Sequence, residues 1–365
     1  MTRAITIRAF TAFRRVPLCG YVGAEWHSAL HAPLRAAPRL IYYSPHPPPH
    51  PRDPIMPHRF TGLIPATYTP LTPDLAVDLA AIPPLVEQLI ADGVCGLYVC
   101  GSTGEGVSLS SGERRQVAEA FIAATRGRVP VIVHVGHDSL AEATALAAHA
   151  AKIGADATSA MPPCYFAIRD AAMAVDCAAA VAAAAPNLPF YYYHIPVMTG
   201  VAIDVVDFLK QAGDRIPNLA GVKYTANTLH EFQECIALEG GRFEMLSGYD
   251  ELLLPGLAVG ARAAVGSTFN VATPLYARLI AAFDAGDLDR ARREQLRAVA
   301  MIRVLMRFPF HPAMKAVLEM IGTPCGHCRP PLPKLSRTDE ERLRESLESI
   351  GFFTWARQHA STAAV

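Results

Sequence analysis

From Phe60 onward, short apolar segments alternate regularly with amphipathic ones. The apolar segments are nearly continuous and lack a polar residue at every second position, which is typical of parallel strands covered on both faces. We predict eight such strands: Gly62–Ala66, Leu97–Cys100, Val131–Val135, Thr158–Met161, Phe190–Tyr193, Gly221–Lys223, Phe243–Leu246 and Ala263–Val265. The amphipathic segments between them predict helices, which include Glu113–Thr125, Ala141–Ile153, Val205–Ala212 and Leu229–Leu238. The segment Ser110-Ser-Gly-Glu113 predicts a capping box that opens the first of these helices.

Eight strands that alternate with helices over about 210 residues predict a (β/α)8 barrel, the TIM-barrel class of α/β fold. A doubly wound sheet is the alternative, but it usually has fewer strands and often a G-x-G-x-x-G turn after the first one. The turn here, Gly62-Leu-Ile-Pro-Ala-Thr67, has a different composition. Beyond Ala285, three more helices are predicted at Leu288–Met306, Pro312–Ile321 and Asp339–Ile350. We therefore expect a barrel over residues 58–285 and a helical C-terminal extension over residues 286–365.

Residues 1–57 differ from the rest of the chain. They contain ten of the 30 prolines and seven arginines, but only two acids, Glu25 and Asp53. The run Pro45-His-Pro-Pro-Pro-His-Pro51 excludes a helix and a central strand. We predict that this segment is either a disordered extension or the product of a start codon assigned too far upstream, with translation beginning at Met56. The arginines at its beginning make a mitochondrial presequence the alternative.

The composition excludes several classes of protein. Lys+Arg and Asp+Glu both number 33, so the 365 residues carry no basic surplus that would attract nucleic acid. Eight cysteines without the paired pattern of a small secreted scaffold favour a reduced compartment over a disulfide framework. Every apolar stretch of about 18 residues is broken by charged, polar or proline residues, so we predict no membrane span. These features favour a cytoplasmic enzyme that acts on small metabolites.

Lysine is scarce, with five in the chain. We predict that Lys152, Lys210, Lys315 and Lys334 lie on helix surfaces or in the polar tail, whereas Lys223 lies within an apolar strand. Burial disfavours the ammonium ion and therefore lowers its pKa. A neutral amine attacks carbonyl carbons, which is the requirement for Schiff-base catalysis. The alternative is a lysine at a strand end that reaches solvent or pairs with an acid.

A second candidate for chemistry is the segment Tyr191-Tyr-Tyr193-His-Ile-Pro196, which ends the preceding strand. The active sites of TIM barrels are built at the carboxyl ends of the strands. The phenol of Tyr193 is suited to move a proton beside a carbonyl group bound on the neighbouring strand. The two tyrosines before it fit core or interface positions. His194 is predicted to be a hydrogen-bonded structural histidine.

Two loops of similar composition follow predicted strands, Gly101-Ser-Thr-Gly-Glu-Gly106 and Gly266-Ser-Thr-Phe-Asn270. Their hydroxyls and backbone N–H groups suit a carboxylate ligand, and their glycines allow a close approach. A serine-rich helix entry is the alternative for either loop. The segment Ser247-Gly-Tyr-Asp-Glu251 offers two adjacent acids, which either favour a helix start or accept hydrogen bonds from sugar hydroxyls.

The motif Cys325-Gly-His-Cys328 has the spacing of a redox or zinc site. A redox motif of this kind opens a helix after a strand, whereas here the chain continues into Arg329-Pro-Pro-Leu-Pro333, which cannot form a helix interior. There is also no second cysteine pair to complete a zinc site. We therefore expect neither function.

Four motifs together resemble a known family, the dihydrodipicolinate synthase/N-acetylneuraminate lyase family. In chain order they are Gly101-Ser-Thr-Gly-Glu105, Tyr193-x-Ile-Pro196, Gly221-Val-Lys223-x-Thr225 and Gly266-Ser-Thr268. The resemblance extends over residues 60–350. It implies a class I, lysine-dependent pyruvate aldolase on a TIM barrel, usually a homotetramer, which uses neither a metal nor an organic cofactor.

Within the family, three phrases are most similar to the N-acetylneuraminate lyase branch, especially its animal-like members. They are Glu113-Arg-Arg-Gln-Val-Ala-Glu119, Pro189-Phe-Tyr-Tyr-Tyr-His-Ile-Pro196 and Gly248-Tyr-Asp-Glu251. The synthase branch carries an arginine shortly after Tyr-x-x-Pro, and here Val197-Met-Thr-Gly200 stands in that region. Tyr165 falls near the position where some members lend a tyrosine across a subunit interface, but its neighbours depart from the family pattern.

The resemblance implies a role for each matching residue. Lys223 would form the Schiff base, and Tyr193 would shuttle the proton. Ser102 and Thr103 would hold the pyruvate carboxylate. The sugar chain would be contacted by Thr225, Gly248, Asp250, Glu251 and Ser267.

The implied ligands are a sugar acid and pyruvate, and the implied reaction is cleavage of N-acetylneuraminate to N-acetylmannosamine and pyruvate. A related aldolase or dehydratase that acts on another 2-keto-3-deoxy sugar acid would also carry these motifs. An enzyme like dihydrodipicolinate synthase is a second possibility within the family. A catalytically silent barrel that only binds a ligand is a third, from a different functional class.

Overall fold

The strands of the barrel lie where the apolar segments predict them. The computed structural model describes residues 60–357, so the predicted extension over residues 1–57 and the start at Met56 lie outside the described residues. The strands are β1 Gly62–Pro65, β2 Leu97–Val99, β3 Val131–His134, β4 Ala157–Ala160, β5 Phe190–His194, β6 Leu219–Tyr224, β7 Glu244–Ser247 and β8 Ala263–Gly266. Each end lies within two residues of its predicted position.

The strands form one parallel sheet in the order β1-β8-β7-β6-β5-β4-β3-β2. An isolated parallel bridge between Ala66 and Tyr98 links β1 to β2, and the Thr67 N–H donates to the Tyr98 carbonyl at 3.0 Å. This link joins the two ends of the sheet into a barrel. The TIM-barrel prediction is therefore confirmed, and the doubly wound alternative is wrong.

Helices follow the strands around the outside and continue beyond β8. They are α1 Ile82–Ala91, α2 Ser111–Thr125, α3 Leu140–Lys152, α4 Ala171–Ala183, α5 Pro196–Thr199, α6 Val205–Ala212, α7 Leu229–Ala237, α8 Leu253–Ala258, α9 Phe269–Asp284, α10 Leu288–Leu305, α11 Phe310–Met320, α12 Arg337–Ser349 and α13 Phe352–Trp355. The last helices confirm the predicted helical C-terminal extension. Within residues 60–357, none of the helices has the length and apolar character needed to cross a bilayer.

The consecutive tyrosines of β5 illustrate how the barrel wall divides the core. Because successive side chains of a strand point to opposite faces, Tyr191 and Tyr193 face the barrel interior and Tyr192 faces outward. Tyr192 stacks on Phe208 of α6, with 4.2 Å between ring centroids. The Tyr191 hydroxyl donates to Glu244 at 2.6 Å, at the start of β7. Tyr193 is thereby left at the opposite end of the interior, where the strands finish.

Candidate active site

Lys223 lies at the carboxyl end of β6 and is enclosed by aromatic rings. It pairs in register with Tyr193 on β5, and only 4% of its surface is exposed. Its Nζ lies 3.9 Å from the ring centroid of Tyr98 on β2 and 3.9 Å from that of Tyr193. A cation this close to two ring faces is attracted by their electron density. The amine is therefore fixed in the middle of the barrel mouth.

The charge state of Lys223 follows from this enclosure. Burial lowers the pKa of Lys223 to about 7, and the nearby carboxylate of Asp250 opposes part of this shift. Within residues 60–357 the amine has no acid within ion-pair distance. The alternative of a solvent-exposed or ion-paired lysine is therefore wrong. Near neutral pH a large share of the side chain is uncharged and nucleophilic.

Tyr193 is buried beside the amine. Burial raises the pKa of Tyr193 to about 12, and the neighbouring hydroxyls of Ser102 and Thr225 oppose this shift. The phenol is consequently protonated at neutral pH. It is in a position to exchange protons with a group bound to Lys223, provided that another acceptor takes up its own proton.

The two predicted carboxylate loops meet across the barrel mouth. Thr103, after β2, and Ser267, after β8, are joined by a hydrogen bond of 2.7 Å between their hydroxyls. Since β1 lies between β8 and β2 in the ring, this bond crosses over the end of β1. Ser102, on the same loop as Thr103, interacts with Tyr193. The hydroxyls predicted to hold a carboxylate are thus gathered on one side of Lys223.

The two acids after β7 have different surroundings. Asp250 is buried, and its Oδ2 accepts hydrogen bonds from the Thr268 N–H at 2.8 Å and the Thr268 hydroxyl at 2.6 Å. Burial raises the pKa of Asp250 to about 6. Glu251 is half-buried, and its carboxylate has no hydrogen-bond partner among residues 60–357. Asp250 is therefore held in place by Thr268, whereas no side chain of the described residues holds the carboxylate of Glu251.

Two glycines are required by close approaches within the site. A Cβ atom on Gly248 would lie 2.0 Å from the Thr225 hydroxyl, and one on Gly266 would lie 2.3 Å from Asp250 Oδ1. Both distances are far below van der Waals contact. Gly248 thus contributes space for Thr225 rather than a functional group of its own.

A cavity opens beside these residues at the carboxyl ends of β5 and β6. Its volume is about 560 Å³, within the usual range for a small-molecule site. Thr225 and Tyr249 line the part of the cavity next to the candidate residues, and the beginnings of α6 and α7 form its far side. Thr225 is the predicted substrate-contacting residue that lines this cavity, whereas Lys223 and Tyr193 do not line it, so the cavity lies beside the amine rather than around it.

Sequence reasoning missed the partners of Lys223 on the opposite side of the barrel. Tyr98 donates from its hydroxyl to Ser159 at 3.0 Å, which fixes the ring against the amine. His134 contacts the Tyr193 ring edge-on, at 5.8 Å between centroids, and its Nδ1 lies 3.2 Å from the carbonyl of Cys100. The signal for Tyr98 was its inward-facing position in β2, directly before a candidate loop.

Other predicted residues lie away from the amine or have structural roles. His194 is buried and stacked on Tyr224, and burial lowers its pKa to about 4. Within residues 60–357 its buried Nδ1 has no hydrogen-bond partner, so the prediction of a hydrogen-bonded histidine is wrong at this atom, and the stacked ring supports a structural role. Tyr165 is 82% exposed on the surface. Cys325 and Cys328 are buried free thiols, and burial raises the pKa of each to about 12.

One prediction about the lysines is wrong. Lys315 does not lie on a helix surface but is 2% exposed, in an ion pair with Glu105. Lys152, Lys210 and Lys334 are exposed, as predicted. The sequence did not reveal this burial, because the acid that pairs with Lys315 lies 210 positions earlier in the chain.

Comparisons with known proteins agree with this geometry. Residues 59–350 match the Dihydrodipicolinate synthetase family. N-acetylneuraminate lyase of Mus musculus is 37% identical over 301 residues, which cover 81% of this chain and 94% of the mouse protein. The structure of Proteus mirabilis N-acetylneuraminate lyase superimposes with a TM-score of 0.79 at 38% identity, covering 81% of this chain and all of that one.

A third similar protein bears on the lysine. A structure described as the catalytic lysine mutant of Ruminococcus gnavus sialic acid aldolase superimposes with a TM-score of 0.76 at 29% identity, covering 80% of this chain and 96% of that one. The family match spans most of the chain, and the relatives are matched over nearly their whole length. Together with the barrel and the buried lysine at its mouth, these matches identify the chain as a member of the dihydrodipicolinate synthetase family.

Proposed function

We propose that this protein is a class I aldolase that cleaves N-acetylneuraminate to N-acetylmannosamine and pyruvate through a Schiff base on Lys223. The observation that carries the proposal is the buried amine of Lys223, which has a pKa of about 7 and lies against Tyr193 at the barrel mouth. The names of the similar proteins support the choice of substrate.

The reaction begins at the ketone of the open-chain sugar acid. The neutral Lys223 Nζ attacks C2, and loss of water leaves an iminium ion. The hydroxyls of Ser102 and Thr103 hold the adjacent carboxylate and so direct C2 towards the amine. The positive iminium nitrogen then lies between the faces of Tyr98 and Tyr193, where its charge is stabilised. The iminium is the electron sink, so no metal or organic cofactor is required.

Bond cleavage requires that the C4 hydroxyl lose its proton. The phenol of Tyr193 is itself protonated, because its pKa is about 12. We infer that Tyr193 acts as a relay, giving its proton to the substrate carboxylate while accepting the C4 proton. The C3–C4 electrons move towards the iminium, and N-acetylmannosamine leaves. Protonation of the remaining enamine at C3 and hydrolysis of the imine release pyruvate and restore Lys223.

The rest of the sugar extends from the lysine past the loop after β7. Thr225 and Ser267 offer hydroxyls, Glu251 offers an unpaired carboxylate, and Asp250 shapes this side of the site from behind. The region where the synthase branch carries an arginine holds Val197 and Met198, which are 74% and 65% exposed. A second carboxylate would find no cation there, which favours a sugar acid over the substrate of the synthase.

Assembly and compartment belong to the same proposal. The resemblance to the family supports a homotetramer. The balanced charge, and the lack of the paired cysteine pattern of a small secreted scaffold, support the cytoplasm. Light scattering on the purified chain measures the first property, with a mass of four chains as the expected result. Fractionation of expressing cells measures the second.

A product assay tests the substrate. The purified protein is incubated with N-acetylneuraminate and, separately, with other 2-keto-3-deoxy sugar acids, and pyruvate is measured. We expect the highest kcat/KM for N-acetylneuraminate, with N-acetylmannosamine formed in equal amount. A higher value for another sugar acid, or efficient condensation of pyruvate with aspartate semialdehyde, would contradict the proposal.

A further inference from the structure

The loop that holds the predicted carboxylate-binding hydroxyls is anchored by a buried ion pair. Glu105, two residues after Thr103, lies 2.7 Å from the Nζ of Lys315 on α11, and both side chains are 1% exposed. Burying two charges is expensive unless their geometry is good and their remaining bonds are satisfied. This pair connects the barrel mouth to the C-terminal extension.

The backbone at Glu105 has a strained conformation, which fixes the turn that contains Ser102 and Thr103. Its φ is +54°, in the left-handed region that non-glycine residues seldom adopt. The same turn is closed by the Glu105 N–H, which donates to the Ser102 carbonyl at 3.1 Å. The Thr69 hydroxyl donates to another carbonyl of this turn, that of Gly104, at 2.7 Å. The positions of Ser102 and Thr103 therefore depend on the left-handed conformation of Glu105, which other contacts must stabilise.

The C-terminal extension supplies the contacts that hold it. The second carboxylate oxygen of Glu105 accepts a hydrogen bond from the Arg329 N–H at 2.8 Å. Lys315 also donates to the His327 carbonyl at 2.9 Å. Glu105 is thus fixed from two sides, by the side chain of α11 and by the backbone of the segment that follows it.

The guanidinium of Arg329 extends the same connection to the loop after β1. It donates to the Leu75 carbonyl at 2.8 and 2.9 Å and to the Ser108 carbonyl at 3.1 Å. It also pairs with Glu113, at the start of α2, at 2.5 Å. Two rim loops and the first turn of α2 are therefore tied to one residue of the extension.

We propose that Glu105 and Lys315 are positioning residues of the active site, which hold Ser102 and Thr103 in the geometry that binds the substrate carboxylate. Neither side chain touches the substrate. The C-terminal extension completes the site through this pair, rather than only covering the barrel. The inference rests on the proposed function for the nature of the bound carboxylate.

The test compares two buried ion pairs in the full chain. Lys315→Met breaks the Glu105 pair, and Arg278→Met breaks the pair between Arg278 and Glu294, which lies between α9 and α10 at 3.2 Å and is 6% and 7% exposed. Pyruvate affinity is read from the concentration that half-saturates borohydride trapping at Lys223, and stability from Tm. We expect both variants to lose stability, but only Lys315→Met to require more pyruvate, by about tenfold.

Steady-state kinetics separate positioning from general damage. For Lys315→Met we expect the larger effect to be a higher KM for N-acetylneuraminate, because the carboxylate is bound before the C3–C4 bond breaks, and a smaller fall in kcat, because the same carboxylate accepts the proton from Tyr193. The double variant Glu105→Gln/Lys315→Met leaves no unpaired buried charge, so it should regain part of the Tm while pyruvate affinity stays weak. It also serves if the single variant does not fold.

The outcomes are distinct. Unchanged pyruvate half-saturation in folded Lys315→Met, or full recovery of affinity in the double variant, would overturn the positioning role and leave the proposed function intact. A fall in affinity of the same size in Arg278→Met would also overturn it, because the effect would then follow stability alone. Failure of the unmodified protein to form any adduct with pyruvate would overturn both proposals.

Discussion

At the scale of single residues, the reactivity of Lys223 depends on its surroundings rather than on its own chemistry. Two tyrosine rings exclude water from the amine, and burial lowers its pKa to about 7. Asp250 is the acid that counteracts this shift, although it is held by Thr268 and makes no ion pair with the amine. The site therefore balances desolvation against one distant negative charge.

This balance predicts the pH dependence of Schiff-base formation. The neutral amine is the reactive form, so the rate of adduct formation at low pyruvate should rise with pH around 7 and level off above it. Asp250 raises the pKa of Lys223, so Asp250→Asn should move this midpoint to lower pH. The exposed control Asp289→Asn should not move it. A midpoint near 10, or an upward shift in Asp250→Asn, would contradict the assignment.

Glu251 is expected to determine specificity for the sugar chain. Its carboxylate makes no capping hydrogen bond to the short helical turn at Asp250–Leu252 or to α8. Glu251→Gln should lower kcat/KM for N-acetylneuraminate. The expected loss of transition-state stabilisation is about 1–3 kcal/mol, which is the contribution of one charged hydrogen bond. Tm and pyruvate trapping should be unchanged, because pyruvate does not reach this loop.

The control for this prediction is Glu345→Gln, a matched change on the exposed face of α12. Steady-state kinetics and calorimetry on both variants provide the comparison. If Glu251→Gln lost stability and kept its kcat/KM, the residue would have a structural role and the prediction would be wrong.

At the scale of elements, the strands were predictable because most of them are nearly continuous apolar runs covered on both faces. The functions of the inward-facing residues were harder to predict from the sequence. Lys223 stood out as a charge in an apolar strand, whereas Tyr98 looked like an ordinary strand aromatic, and its contact with Nζ arises only when β2 and β6 face each other across the barrel. The Glu105–Lys315 pair was missed for the same reason, since closure of the chain brings its partners together.

The capping box of α2 was predicted from four residues and is confirmed. The Ser110 hydroxyl accepts from the Glu113 N–H at 3.2 Å, and the Ser110 N–H donates to the Glu113 carboxylate at 2.8 Å. Ser110→Ala should lower the free energy of unfolding by about 1 kcal/mol, and Ser110→Thr, which keeps a hydroxyl, by less. Denaturant titration measures both. An equal loss in the two variants would show that the hydroxyl does not cap the helix.

At the scale of the whole molecule, we propose that residues 58–285 form the catalytic barrel and residues 286–365 its extension. The contacts of Lys315 and Arg329 with the rim loops imply that the extension is needed for activity as well as for stability. A boundary drawn from helix periodicity alone does not reveal this dependence.

Residues 1–55 are expected to be dispensable. Their proline content and lack of periodicity provide no apolar face to bury against the barrel. A chain beginning at Met56 should therefore keep its Tm and its kcat/KM for N-acetylneuraminate. A large loss of either quantity, measured against the full chain, would show that the extension contributes to the fold or the site.

Reductive trapping tests the role of Lys223 most directly. The protein is incubated with pyruvate and borohydride, the intact mass is measured, and the modified peptide is sequenced by mass spectrometry. We predict one adduct per chain, on Lys223, and none in Lys223→Arg, because guanidinium stays protonated and does not attack the ketone. The exposed control Lys210→Arg should be labelled like the unmodified protein. An adduct on Lys152 or Lys315, or continued trapping in Lys223→Arg, would contradict the mechanism.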